Sequence, residues 1–133
     1  MPRTSVIVSR APARLYAAPP PFLCTYEKTA SATWVHVEGE LDMATSPELD
    51  RVLRQAELDS MLLVLDLREL AFIDVSAVHV ILAAASRLRP GAGRLMIARG
   101  PAQVDRVFTL TGACERLSIV DLEADQPALL GIA

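Results

Sequence analysis

The sequence predicts an α/β domain: a mixed, mostly parallel sheet with an N-terminal hairpin and helices packed against it. Three observations carry this. Leu62–Leu67 (LLVLDL) is an apolar run broken only by Asp66, which reads as a strand covered on both faces. From Val75 onward, apolar residues fall at Val78, Ile81, Leu82, Ala85 and Leu88, a helical period. Segments of these two kinds follow one another in the order β-β-α-β-α-β-α-β, and strands separated by helices imply parallel neighbours.

Phe22–Thr29 (FLCTYEKT) and Thr33–Leu41 (TWVHVEGEL) read as two strands joined by a turn at Ser31-Ala32, a hairpin whose first strand lies on an edge. His36 is a strand residue on the less buried face, with no second ligand nearby to suggest a metal. The first helix starts at Ser46, with Ser46 as the cap, Pro47 in the first helical position and Glu48 at the positive end of the dipole. Leu49, Val52, Leu53 and Ala56 form its apolar stripe, and Glu48, Asp50, Arg51, Arg54 and Glu57 read as a solvated face. Pro90–Gly93 ends the second helix. No Lys-Ser/Thr follows its glycines, so it is a turn and not a phosphate loop. Arg94–Arg99 is a buried strand, Pro101–Thr111 a third helix with Gly112 beyond its end, and Leu117–Leu122 a last strand.

The chain of 133 residues is long enough for one core, expected over residues 22–126. Residues 1–21, rich in Ala, Arg and Pro, are expected to be a flexible arm, and 127–133 a tail. No apolar run approaches the ~18–20 residues of a membrane span, and the N-terminus has no secretory core. A cytoplasmic protein without membrane insertion is therefore expected. Of thirteen basic residues, Arg3, Arg10 and Arg14 lie in the arm; the rest of the chain holds ten against sixteen acids, a net of −6. An acidic domain without a basic stripe is a poor binder of nucleic acid. Cys24 and Cys114 are too few for a metal cluster and read as core residues of a reduced protein. Nothing in the sequence calls for a cofactor or a metal.

The candidate site is the start of the second helix. Asp74 is placed to cap it, and Ser76 then falls at about its second position. Taking Ser76 as zero and ~100° per residue, Val80, Ala83 and Arg87 share its side, flanked by His79 and Ala84. That small, apolar side suits close approach of another surface, although an element of the same domain is the plainer occupant. Ser–His chemistry between Ser76 and His79, one turn apart, is the enzyme reading. No orienting third group or oxyanion site supports it, and the expectation is a binding module without catalysis.

Gly39-Glu40-Leu41-Asp42 with Thr45-Ser46-Pro47-Glu48-Leu49, then Leu65-Asp66-Leu67 … Phe72-Ile73-Asp74-Val75-Ser76, together with Leu110-Thr111-Gly112, resemble the signatures of STAS domains (sulfate transporter and anti-sigma factor antagonist). The resemblance covers about residues 22–122 and implies a single small STAS-like domain. In stand-alone bacterial members the site reads Asp-Ser-Ser/Thr-Gly, and its second hydroxyl is phosphorylated by a partner that is both serine kinase and anti-sigma factor. Here Asp74 matches the acid, Val75 replaces the first hydroxyl, Ser76 matches the phosphoacceptor and Ala77 replaces the glycine. The resemblance thus implies an anti-sigma factor antagonist, switched off by phosphorylation at Ser76. Its expected partner-binding residues are Asp42, Asp74, Val75, Ser76, Ala77, His79, Val80 and Ala83. The alternative is an unphosphorylated STAS subunit of a transporter or signalling assembly.

Overall fold

The structure is a computed structural model that describes residues 4–10, 21–58, 61–88 and 94–123, the first of these as backbone. Its strands are β1 (Thr4–Arg10), β2 (Leu23–Lys28), β3 (Thr33–Leu41), β4 (Leu62–Asp66), β5 (Leu70–Ile73), β6 (Arg94–Ala98) and β7 (Ser118–Val120). Its helices are α1 (Ser46–Glu57), α2 (Val75–Leu88) and α3 (Ala102–Leu110), with a 3-10 turn at Ala113–Glu115. The sheet runs β1-β2-β3-β4-β6-β7, with β5 paired to β3. β1, β2 and β3 are antiparallel neighbours; every later pairing is parallel. The expected α/β architecture is therefore present.

Two strands were not foreseen. Thr4–Arg10 lies within the expected arm, yet it pairs with β2 and takes the edge position assigned to β2. Its core, Val6-Ile7-Val8, is three consecutive β-branched residues, a local preference that the Ala/Pro/Arg composition of the whole arm hides. Residues 1–3 and 11–20 of the arm, the Pro90–Gly93 turn and the 127–133 tail lie outside the described residues. The second addition is β5. Leu70–Ile73, to which the sequence assigned no element, pairs with Gly39–Leu41 across an irregularity at Gly39/Glu40. Gly39 allows this: its φ is +94°, and a Cβ there would stand 2.8 Å from the Pro21 carbonyl oxygen.

Period-two alternation sorts the strands into two faces. Cys24, Val35, Val37, Leu41, Leu63, Leu65 and Ile97 join the apolar sides of α1, α2 and α3 in the main core. Trp34 and Val64 lie in a separate small cluster with Ala32, flanked by Leu62 and Leu122. Burying each large apolar side chain contributes about 1.5–3 kcal/mol, so the core stripes Leu49/Val52/Leu53 and Val78/Ile81/Leu88 hold the helices. Cys24 is fully buried, and burial pushes its thiol up to about 12; Cys114 is half-buried against the core.

The polar face of α1 is less solvated than its pattern suggested. Arg87 of α2 grips Glu57 through Nε (2.7 Å) and a terminal nitrogen (3.1 Å). Its other terminal nitrogen reaches Asp50 at 4.0 Å. Two of the five residues assigned to water thus bind a neighbouring helix.

Candidate functional site

β3 and β5 end side by side, because Leu41 pairs with Ile73 and the Asp74 amide donates to the Leu41 carbonyl at 2.9 Å. The loops that follow these strands therefore open at one end of the sheet, the position where parallel strands deliver side chains to a site. One loop leads into α1 and the other into α2.

Asp74 caps α2 as expected. Its Oδ1 accepts from the amides of Ser76 (2.9 Å) and Ala77 (3.3 Å), two donors that the first turn leaves without helical partners. The same oxygen accepts the Ser76 hydroxyl at 2.5 Å, the short separation of a hydroxyl held by a carboxylate. One carboxylate oxygen thus fixes both the backbone and the side chain of the half-buried serine.

The other loop is built by Asp42 and Thr45. Asp42 Oδ1 accepts from the amides of Ala44 (2.9 Å) and Thr45 (3.1 Å). Thr45 Oγ1 accepts from the Asp42 amide and donates to the Glu40 carbonyl, each at 2.9 Å. This moves the helix boundary by one residue: Thr45 is the cap and Ser46 the first helical residue. With its cap position taken, the Ser46 hydroxyl donates to the Asp42 carbonyl at 2.6 Å and stands 3.0 Å from Ser76 Oγ. Ser46 is the neighbour of Ser76 that the sequence did not reveal. A second hydroxyl at the start of the preceding helix was the available signal, but cap chemistry already explained it.

One side of α2, including part of the expected partner face, lies against α1. Ser76 touches Ser46 at the start of α1, and Arg87 holds Glu57 at its end. The line through Ser76, Val80 and Arg87 therefore runs along α1, and Val80 is half-buried against the core. The plainer occupant, an element of the same domain, covers this line. Ala77 is fully buried, so its methyl faces the core; only its amide joins the site. Val75, His79 and Ala83 are exposed on the outer arc, while Asp42 is half-buried in its loop. Large exposed apolar side chains gather at this end: Met43 in the first loop, Phe72 in β5 and Val75 beside the serine. Val75, 48% exposed, presents an apolar surface where the family pattern has a hydroxyl.

A second polar cluster lies on the strand face that carries Trp34. His36 Nδ1 is 2.9 Å from Asp66 Oδ2, and its Nε2 is 3.2 Å from Glu27 Oε1. Arg68 forks onto Asp66 at 2.8 and 2.9 Å and reaches the Glu123 carbonyl. The Asp66 hydrogen bond, helped by both carboxylate charges against the pull of burial, raises the His36 pKa. Burial pushes the Asp66 carboxyl up, yet the hydrogen bonds from Arg68 and His36 outweigh it and hold the group well below the usual range. Among the described residues, no three His, Cys, Asp or Glu side chains are grouped to hold a metal.

Comparison with known proteins bears on the fold and the family. The profile of the STAS domain matches residues 24–125. The crystal structure of an anti-sigma factor antagonist from Mycobacterium paratuberculosis shares the fold with a TM-score of 0.74 at 22% identity, over 89% of this chain and all of that one. The anti-sigma factor antagonist SpoIIAA in its unphosphorylated form matches with a TM-score of 0.68 at 20% identity, over 83% of this chain and 98% of its own. The phosphorylated form of SpoIIAA, the Bacillus cell fate determinant, matches at 0.64 and 19%, over 80% of this chain and 97% of its own. The fold is thus that of small STAS domains. The chain belongs to the STAS domain family.

Proposed function

We propose that this protein is an anti-sigma factor antagonist that binds an anti-sigma factor with serine kinase activity in the cytoplasm and is switched off by phosphorylation at Ser76. The observation that carries the reading is the half-buried Ser76 hydroxyl held on Asp74 at the start of α2, at the end of the domain that exposes Val75, Phe72 and Met43. Unmodified, this rim packs on the partner, which then releases its sigma factor. In the modified state the γ-phosphoryl group of ATP has moved to Ser76. The Oγ–phosphorus bond forms as the bond to ADP breaks, and the hydroxyl proton leaves for a carboxylate and then water. The group adds about −1.5 to −2 charges. Asp74 already occupies the first-turn amides, so the phosphate meets a carboxylate and points toward the partner surface. An apolar rim would have to desolvate it, and the expected result is lost association with little unfolding. Structural similarity to SpoIIAA, which exists in both phosphorylation states, supports this reading.

One observation favours a second reading. Exposed Val75 replaces the first hydroxyl of the family site and suits a docking surface that needs no modification, as in a constitutive subunit of a larger assembly. Intact-mass measurement of the protein from its native cells, beside Ser76→Ala, separates the two. A gain of one phosphate that Ser76→Ala abolishes supports the switch. Unmodified protein across growth conditions overturns it in favour of the constitutive subunit.

A further inference from the structure

Ser46 and Ser76 each own one hydroxyl proton. The Ser76 proton is directed to Asp74 Oδ1 at 2.5 Å, and the Ser46 proton to the Asp42 carbonyl at 2.6 Å. Carboxylate and carbonyl oxygens only accept, so both protons are engaged, and the 3.0 Å contact between the two Oγ atoms is served by sharing one of them. The stronger, charged acceptor retains the Ser76 proton. The shared proton is therefore that of Ser46, divided between Asp42 and Ser76.

We propose that Ser46 is a positioning residue for Ser76, whose hydroxyl steadies the acceptor oxygen before modification and donates to the phosphoryl group afterwards. The inference rests on the reading of Ser76 as a phosphorylation site. When Oγ gains phosphorus it loses its proton, and the link to Asp74 becomes a repulsion. Ser46 is 5% exposed, sits 3.0 Å from the ester oxygen and keeps the one proton the pair still holds. Turning it to the phosphate takes a donor from the Asp42 carbonyl. The Asp42–Thr45 turn, which carries the exposed Met43, then senses the modification without touching it. The signal passes from α2 to the start of α1 through a single hydroxyl.

The test uses the full chain with phosphoserine installed at position 76 during translation, so no kinase is needed. Phosphorus NMR follows the second ionisation of the phosphate in the otherwise natural protein and in Ser46→Ala, Ser46→Cys and Ser46→Thr. A donor favours the dianion, so its loss is expected to raise that pKa by about half a unit in Ser46→Ala and Ser46→Cys, with Ser46→Thr restoring it. Ser46→Cys leaves no cavity and its thiol donates only weakly, so a cavity left by truncation cannot imitate a result that both variants share. Identical pKa values in the unsubstituted protein and in both variants overturn the proposal. Because the phosphate is installed directly, that failure leaves the switch reading untouched, and the intact-mass experiment tests the switch separately.

Discussion

Arg87 Nε and Glu57 Oε1 lie 2.7 Å apart, tying the last turn of α2 to the last residue of α1. Both side chains are largely withdrawn from water. Truncating Arg87 strands the Glu57 carboxylate, so Arg87→Ala is expected to cost about 1–3 kcal/mol in urea unfolding. Adding Glu57→Ala should cost less than the two single losses together, the non-additivity of residues in contact. Strict additivity would show that the pair contributes nothing.

The same line divides α2 into a covered and an open side. Val80→Asp places a charge against the core and is expected to destabilise by about 2–4 kcal/mol. Val75→Asp and Ala83→Glu, on the exposed arc, should stay within about 0.5 kcal/mol of the unsubstituted protein. Thermal unfolding of the three variants reads this directly, and equal losses would mean that packing does not divide α2 into two sides.

Asp74 has two roles that substitution separates. Asn caps a helix as well as Asp, whereas Ala does not, so Asp74→Ala is expected to cost about 1 kcal/mol and Asp74→Asn markedly less. Both remove the negative charge from the Ser76 hydroxyl. If that charge orients the acceptor oxygen, phosphorylation of Ser76 slows in both variants, despite their different stabilities.

The polar cluster around His36 predicts a pH dependence. Its folded pKa is raised, chiefly by the Asp66 hydrogen bond, so its contribution is complete below the unfolded value of about 6.5. That contribution is lost as pH climbs through the folded value. Asp66 is shifted the other way: its contribution is present above the model-compound value of 3.8 and lost in acid. Together they favour the folded state most between about pH 4 and 6.5. Unfolding free energy should therefore fall from pH 6 toward pH 9, and His36→Gln should flatten that slope. An unchanged slope would remove His36 from the account.

Gly39 and Gly112 both have positive φ, but their surroundings differ. At Gly39 a Cβ meets the Pro21 carbonyl at 2.8 Å, whereas at Gly112 nothing lies within 4 Å. Gly112→Ala is expected to cost about 1 kcal/mol from backbone conformation alone, and Gly39→Ala clearly more. Chemical denaturation of the two variants makes the comparison.

What could be read in advance was what lies close in sequence. Period and cap chemistry placed the three helices and five of the seven strands, and they put Asp74 two residues before Ser76. What escaped depends on residues far apart. Ser46 and Ser76 are 30 positions apart, as are His36 and Asp66, and no periodicity links them. Asp66 was the available clue, because an acid inside a buried apolar run needs a partner. β5 was missed because four residues after a polar turn carry little pattern, and its pairing is decided by the bend at Gly39. The contact of Ser76 and Arg87 with α1 escaped because a helical wheel cannot tell a neighbouring helix from an external surface.

Trp34 is the protein's single tryptophan, 2% exposed and stacked on His36 with ring centroids 6.0 Å apart and planes 12° from parallel. An imidazolium ring lying on an indole draws on its π electrons and quenches its emission. The molecule thus contains its own optical probe. Fluorescence intensity, followed as pH climbs above the ordinary histidine range, records the charge on one histidine whose pKa is raised, and the red shift of the same band records exposure of the indole on unfolding. Both are read from the unlabelled chain in one titration.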